Sequence, residues 1–188
     1  MWEEPGSGDP MYAFDTRNPK GQRAPMLIRH ARVDGRGEAW LDVYLPIRPN
    51  GSSAWIRADD VDLQRRDQRI EVDLSRRILE LYREGRLVDR FRVGIGAPGS
   101  PTGIGTFYVW VKVGYDPPSP AYGVYALGLS GFSPLLSEWP GQGRMAIHGT
   151  LDPSDRGQAV SHGCVRVYDP QMERLTDVPL GTPVIITP

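Results

Sequence analysis

Turn-forming residues interrupt this chain so often that they exclude most helical folds. The 188 residues include 22 glycines and 18 prolines, spread along the whole sequence. Proline removes a helical hydrogen bond and glycine costs backbone entropy, so neither is tolerated well inside a long helix. Between them lie short apolar runs, and Ile70-Glu71-Val72-Asp73-Leu74 alternates apolar and polar residues as a half-buried strand does. The pattern therefore predicts a mostly β protein built from short strands and argues against a helical bundle.

The charge and hydropathy patterns exclude several classes of partner. Lys and Arg number 22 against 23 Asp and Glu, a net charge of -1, so no basic surface for nucleic acid or an anionic membrane is expected. No run of about 18 apolar residues is present, which predicts no transmembrane segment. The opening Met1-Trp2-Glu3-Glu4-Pro5-Gly6 lacks the basic and apolar regions of a signal peptide. By these criteria the chain is either cytoplasmic or the mature region of an exported protein.

The sequence divides into three segments. Residues 1–23 are rich in Gly, Pro, Asp and Arg without periodicity, and we expect a loose leader, partly ordered by docking. Residues 24–67 hold three short β-prone runs, with Asp34-Gly35 and Asn50-Gly51 as hairpin turns, which predicts a small SH3-like β-barrel. Such a barrel has few core residues and would lean on its neighbour. Residues 68–188 predict a mostly β domain with one or two short helices.

Several elements of the third segment follow from pattern alone. The stretch 74–93 fits either a helical stripe or two antiparallel strands, and the turn at Glu84-Gly85 favours the strands. Further strands are expected at 105–113, 124–129, 144–148 and 183–187, and one short helix at 170–175.

The segment between Gly114 and Gly143 is rich in Pro, Gly, Ser and Tyr and is long for a simple connection. Long loops in compact domains are often lids or binding loops. Tyr122, Tyr125 and Trp139 would either line a cleft there or serve as ordinary packing residues.

The single cysteine, Cys164, lies in Ser161-His162-Gly163-Cys164-Val165-Arg166. A lone cysteine forms no internal disulfide, so it is a nucleophile, a metal ligand or an inert core residue. Gly163 permits a tight turn whose amides can face an oxyanion, and Ser161 and His162 are more natural at a cleft than in a buried strand. This setting favours a nucleophile.

Two competing motifs carry weaker signals. His148, His162 and Cys164 together would make a zinc site without the fourth ligand and the sulfur content that structural zinc sites usually have. Gly94-Ile95-Gly96-Ala97-Pro98-Gly99 matches a dinucleotide glycine pattern, but a Pro-Thr-Gly turn follows where a helix should begin. We therefore expect neither a metal nor a nucleotide cofactor.

Two histidines are candidates for the base that deprotonates the thiol. His162 is two residues from Cys164, and side chains at i and i+2 share a face when the chain is extended. His148 lies sixteen residues upstream, at the end of a predicted strand, and the polar loop between is long enough to fold back. The residues alone leave the two alternatives open.

Ile147-His148-Gly149-Thr150 followed by Ser161-His162-Gly163-Cys164-Val165-Arg166 resembles the signature of the L,D-transpeptidases with a YkuD-type catalytic domain. The turn at Pro101-Thr102-Gly103 and the opening strand pair are also similar to that family. The resemblance covers roughly residues 68–188. The segment from Leu45 to Ile56 resembles, less closely, an SH3-like segment found before some of these domains. The implied fold is a small SH3-like barrel followed by a YkuD-type β-sandwich or barrel.

The resemblance implies a role for each residue of the motif. Cys164 would be the nucleophile, His148 the base and the carbonyl of Gly149 the group that orients it. The amides of Gly163 and Cys164 would hold the oxyanion. The predicted substrate-binding residues are His162, Ser161, Arg166 and, from the aromatic-rich segment, Tyr125. Arg166 would either brace the loop or meet a carboxylate of the stem.

The implied activity is cell-wall biogenesis, with consequences for cell shape. A peptidoglycan tetrapeptide stem would lose its terminal D-residue, form a thioester, and pass the acyl group to an amine of a neighbouring stem. No cofactor is needed, carbapenems would be covalent inhibitors, and the protein would be exported to the cell wall or periplasm. The alternatives are an L,D-carboxypeptidase that trims tetrapeptides, a non-catalytic wall-binding module, and a thiol hydrolase of another family. The sequence predicts no oligomeric state.

Overall fold

The computed structural model describes residues 1–138 and 140–188, so the expectation that Trp139 lines a cleft lies outside the described residues. Within these residues the strands are β1 (Ile28–Val33), β2 (Ala39–Tyr44), β3 (Ser53–Arg57), β4 (Gln68–Asp73), β5 (Ile78–Arg83), β6 (Arg86–Arg92), β7 (Ile95–Gly96), β8 (Gly105–Ser119), β9 (Gly123–Phe132), β10 (Arg144–Thr150), β11 (Ala159–Ser161), β12 (Val165–Tyr168) and β13 (Pro183–Thr187). One short α-helix, α1 (Asp169–Met172), continues into a 3₁₀ turn at Glu173–Leu175, where the sequence predicted a helix. Further 3₁₀ turns lie at Ala58–Asp60, Pro140–Gly143 and Pro153–Asp155. No helix in the described residues is long and apolar enough to cross a membrane.

The N-terminal part is a three-stranded antiparallel sheet in the order β1-β2-β3. Its small core contains Leu41, Val43, Leu45 and Ala54. The leader docks on this sheet, because the backbone of Trp2 pairs with that of Trp55 and the Trp2 ring meets Trp40 edge-on at 5.3 Å. The expected leader is thus held in place through residues near its start, whereas the SH3-like assignment of the sheet stays a prediction.

The larger part is an eight-stranded sheet in the order β12-β10-β9-β8-β13-β4-β5-β6. The sheet curls until its two ends meet, where Gly94 and Arg166 exchange backbone hydrogen bonds of 2.9 and 2.8 Å. One continuous apolar core fills the interior, with Ile70, Phe107 and Ile147 almost wholly buried. The mostly β prediction is confirmed, and the curled sheet packs against itself as a β-sandwich.

The ambiguous stretch after Asp73 forms strands. Leu79 and Leu81 are both buried in the core, whereas Ile78 and Glu80 between them are only partly buried. This two-residue period is that of a strand, and β5 pairs with β4 on one side and β6 on the other.

The segment from Gly114 to Gly143 corrects the expectation of a long lid. β8 runs on to Ser119 and β9 starts at Gly123, so most of the segment is one hairpin with a short tip. The turn-rich sequence hid this because β8 contains Pro117 and Pro118, which strands accept where no ladder N–H is required. The pairing register indeed shifts between Gly114 and Ser119.

Candidate active site

The site forms where two strands far apart in sequence run side by side. β10 and β12 are parallel neighbours, with Ile147 opposite Val165 and His148 opposite Arg166. Ile147 and Val165 point into the core, and successive side chains alternate, so His148 and Arg166 share the outer face. Cys164 directly precedes β12, two residues from Arg166, and therefore reaches the same face. The parallel register thus puts the cysteine and the upstream histidine on the same face of neighbouring strands.

The cysteine lies at the end of a tight turn braced by Ser161. The Ser161 hydroxyl donates to the carbonyl of Cys164 at 2.5 Å and accepts from the amide of Gly163 at 3.2 Å. Gly163 has φ +103°, a backbone conformation that residues other than glycine rarely adopt. A Cβ at this position would lie 2.7 Å from the Cβ of Ser133. Ser133 thus packs against the turn at Gly163, and the turn fixes the position of the Cys164 backbone.

A backbone carbonyl orients the imidazole of His148. Its Nδ1 lies 2.8 Å from the carbonyl oxygen of Gly149. Because a carbonyl only accepts, Nδ1 carries the hydrogen and Nε2 keeps its lone pair for a proton. Only 3% of His148 is exposed, and the ring of Tyr122 meets it edge-on at a centroid distance of 5.1 Å.

Burial keeps both groups uncharged at rest. Burial lowers the pKa of His148 from 6.5 to about 4, although the Gly149 carbonyl opposes this shift. Burial also raises the pKa of the Cys164 thiol, opposed by a hydrogen bond from the Ala146 backbone and by the charge of Arg166. Ala146, whose backbone acts on this pKa, belongs to β10 and lies two residues from His148. The arrangement suits proton transfer during a reaction rather than a preformed thiolate–imidazolium pair.

The depressed pKa of His148 predicts a pH-dependent stability. A histidine buried in its neutral form binds a proton more weakly when folded, so falling pH favours unfolding between the two pKa values, 6.5 and about 4. We expect the free energy of unfolding to drop by about 3 kcal/mol more in the wild type than in His148→Asn as pH falls from 7 to 4. Urea unfolding of both proteins across this range measures the difference. Parallel pH curves for the two proteins would contradict it.

Arg166 is engaged in an ion pair that the sequence reasoning missed. Its Nη1 lies 3.0 Å from Oδ2 of Asp155, which also accepts from the Thr150 hydroxyl at 2.9 Å. Asp155 is 8% exposed, so water screens this pair weakly. The only available signal was the position of Asp155 in the loop between the two motif halves. Arg166 therefore joins this loop to β12.

A second buried carboxylate lies behind the histidine and was also missed. Asp169 is 5% exposed, and its Oδ1 accepts from the amide of Val124 at 3.3 Å. A Cβ added at Gly149 would lie only 1.9 Å from this oxygen, and one at Gly123 only 2.0 Å. The two glycines let β9, β10 and α1 approach closely, which fixes the Gly149 carbonyl that holds His148.

The remaining predicted residues differ in exposure and in their position relative to His148. His162 is exposed beside the turn, whereas Ser161 is 2% exposed with its hydroxyl used inside the turn. The ring of Tyr125 packs against the core and lies 5.9 Å from Nζ of Lys112, on the opposite face of β9 from His148. The structure therefore brings Tyr122, not Tyr125, to the histidine. Strand alternation explains the position of Tyr125, because His148 is opposite Ala126 and the neighbouring side chain of Tyr125 points to the other face, whereas Tyr122 lies in the turn before β9.

No cluster of three or more His, Cys, Asp or Glu side chains suited to a metal ion occurs in residues 1–138 and 140–188.

The part of the chain that contains Cys164 and His148 is similar to known proteins. The family model of the L,D-transpeptidase catalytic domain, YkuD, matches residues 67–186. A Bacillus licheniformis protein provisionally named L,D-transpeptidase YkuD is 37% identical over 122 residues, which are 64% of this chain and 66% of that protein. The chain thus spans just under two thirds of this curated relative.

Solved structures show the same fold. A Cys-to-Ser mutant of an Enterococcus faecium L,D-transpeptidase is 26% identical with a TM-score of 0.50, over 65% of this chain and 50% of that one. An L,D-transpeptidase, LdtMt1, in complex with imipenem covers 88% of this chain and 82% of its own, with a TM-score of 0.52 and 15% identity. At that identity the second likeness concerns the fold alone. On the family match, which takes in more than half of its residues, this chain belongs to the YkuD family of L,D-transpeptidase catalytic domains.

Proposed function

We propose that the chain is a peptidoglycan L,D-transpeptidase in which Cys164 transfers the acyl group of a tetrapeptide donor stem to an amine of a neighbouring stem. One observation carries the proposal: the parallel pairing of β10 with β12, which puts His148 and Cys164 on one outer face with Nδ1 of His148 held by Gly149. Family membership supports a reaction on cell-wall stem peptides.

Acylation begins with a proton transfer. Nε2 of His148 takes the proton of the Cys164 thiol as the sulfur attacks the carbonyl of the third stem residue. The oxyanion that forms needs a backbone amide close to the sulfur, and the amide of Cys164 is our candidate. Use of the Gly163 amide, the other predicted donor, requires its 3.2 Å hydrogen bond to Ser161 to open.

Collapse of the tetrahedral intermediate completes the first half of the reaction. The amine of the terminal D-residue leaves with the proton that His148 holds, and the acyl group stays on Cys164 as a thioester. An acceptor amine then attacks the thioester, His148 takes its proton, and the thiolate leaves and is reprotonated. Water in place of the amine gives the carboxypeptidase alternative with no other change.

The other predicted residues receive roles consistent with their surroundings. We assign His162, which is exposed beside the nucleophile, to contact with the stem peptide. Arg166, paired with Asp155, steadies the loop that leads to the nucleophile. Ser161 braces the turn, and Tyr122 replaces Tyr125 as the aromatic side chain facing the substrate.

The proposal extends to the organisation and location of the protein. Its substrate is extracytoplasmic, so we place the protein at the cell wall or in the periplasm. We keep the division into a leader at 1–23, an SH3-like segment at 24–67 and a catalytic domain at 68–188 as part of the proposal.

A product assay tests this function. The purified chain is incubated with a tetrapeptide that ends in a D-residue, with and without a diamino-acid acceptor, and products are identified by mass spectrometry. We expect a cross-linked product with acceptor present and loss of the D-residue in both samples. Tripeptide alone in both samples would support the carboxypeptidase instead, and unchanged tetrapeptide would leave the wall-binding alternative.

A further inference from the structure

The loop between β2 and β3 of the N-terminal sheet forms hydrogen bonds to the backbone of the larger domain at Phe132–Ser133. The side-chain amide of Asn50 donates to the carbonyl of Phe132 at 2.7 Å and accepts from its amide at 2.9 Å, as a neighbouring strand would. Arg48 donates to the carbonyl of Ser133 at 2.9 Å and to that of Gln142 at 2.6 Å. Both backbone groups of Phe132 and the carbonyl of the next residue are thus satisfied from outside the catalytic domain.

Two guanidinium groups also contact the ring of Phe132. The guanidinium of Arg48 lies 4.8 Å from its centroid and that of Arg144 lies 4.3 Å from it. Arg144 in turn donates to the carbonyl of Pro46 at 3.1 Å. Phe132 is 1% exposed, so the two guanidinium groups lie against a buried ring.

Phe132–Ser133 supports the turn at Ser161–Cys164, which we call the nucleophile turn. The hydroxyl of Ser133 donates to the carbonyl of Pro101 at 2.9 Å, and Ser133 is fully buried. Its Cβ lies so close to Gly163 that a Cβ on that glycine would be 2.7 Å away. Because the side chain of Gly163 is a hydrogen atom, Ser133 packs directly against the residue that precedes Cys164. A movement of Ser133 would therefore move the nucleophile turn.

We infer that Asn50 and Arg48 are positioning residues for the transpeptidase site, acting through Phe132–Ser133 on the turn that presents Cys164. The inference rests on the proposed function. It makes the N-terminal sheet part of the catalytic scaffold, beyond any wall-binding role. Because reaction rates fall steeply when reacting groups are displaced by about an ångström, loosening this support lowers acylation without unfolding the protein.

The chain offers a matched control at the same interface. The side-chain amide of Gln22 donates to the carbonyl of Lys112 at 2.8 Å and accepts from its amide at 3.0 Å. This contact has the same chemistry as that of Asn50 but holds Lys112 in β8, which β9 separates from β10, whereas Asn50 holds the residue next to Ser133. Gln22→Ala therefore loses the same kind of contact on a strand that two other strands, β9 and β10, separate from β12.

The test compares two reactions of the same thiol in the full chain. Acylation by imipenem needs a placed oxyanion donor, whereas alkylation by iodoacetamide needs only the thiolate. We expect Asn50→Ala to lower the second-order rate constant of acylation by about 10- to 100-fold and to leave alkylation within about twofold of wild type. Gln22→Ala should leave both rate constants within about twofold of wild type.

Each outcome decides the inference. Equal loss of acylation in Asn50→Ala and Gln22→Ala, or acylation and alkylation falling together, overturns it, as does an Asn50→Ala variant that acylates normally. If Asn50→Ala fails to fold, Arg48→Ala, which removes the two hydrogen bonds that Nη2 donates to the carbonyls of Ser133 and Gln142, must show the same selective loss. Wild-type protein that takes no drug overturns the proposed function and this inference with it, so the two failures are distinguishable.

Discussion

Cys164→Ala should form no covalent adduct with imipenem, whereas the wild-type chain should gain the mass of one drug molecule. Cys164 is the only thiol of the sequence, so its loss removes every sulfur nucleophile at once. In the proposed mechanism the acyl-enzyme is a thioester, so a chain without a thiol cannot form it. Mass spectrometry of the intact protein gives the result directly.

The fold must survive for this result to count. Cys164 is only partly buried, and the turn around it is braced by Ser161 and by the packing of Ser133 on Gly163. We therefore expect unchanged thermal unfolding for Cys164→Ala. An alanine variant that still gains the mass of the drug would place the acylated nucleophile elsewhere and refute the assignment.

His148→Ala should slow acylation by about 100- to 10,000-fold, the usual contribution of a general base. The pH profile should change as well. With a pKa of about 4, His148 keeps its lone pair above that pH, so wild-type acylation should persist into mildly acidic solution and fall only as pH approaches 4. The variant depends on spontaneous thiolate, whose fraction rises about tenfold per pH unit below the thiol pKa. Stopped-flow acylation between pH 4 and 9 measures both effects.

His162→Ala is the matched control for this prediction. His162 is also close in sequence to Cys164, yet it is exposed, whereas His148 is buried on the strand that faces the sulfur. We expect His162→Ala to reduce acylation by less than about tenfold and to keep the wild-type pH profile. A larger loss for His162→Ala than for His148→Ala would assign the base to His162.

The sequence predicted those elements whose pattern is local. Ile70 and Val72 alternate with charged residues, and the runs at 183–187 and 170–175 lie where a strand and a short helical segment occur. The hairpin of β8 and β9 was obscured by Pro117 and Pro118, because turn residues inside a strand carry a loop-like signature. β7 and β11 are too short to carry any period, and their pairing depends on the turn around Ser161.

The site divides in the same way. Cys164 and His148 were visible because their motif is contiguous in two short pieces, whereas the choice between two histidines required a resemblance that the residues alone did not supply. The face reached by Tyr125 depends on which residues of β9 enter the core, and the sequence of β9 is apolar on both faces. Asp155, Asp169 and Asn50 act through contacts made only in the folded chain, so their roles could not be predicted from their spacing in the sequence.

The position of β13 has a consequence for biosynthesis. The eight-stranded sheet is continuous only through this strand, which pairs with β8 on one side and β4 on the other. Until the ribosome has released residues 183–187, the two halves of the sheet lack their shared neighbour, and a nascent chain cannot complete its backbone ladder. Non-local pairing of this kind folds slowly. We therefore expect the two halves of the sheet to close over their shared core only after residues 183–187 have left the ribosome, so until then chaperones would meet an unfinished chain.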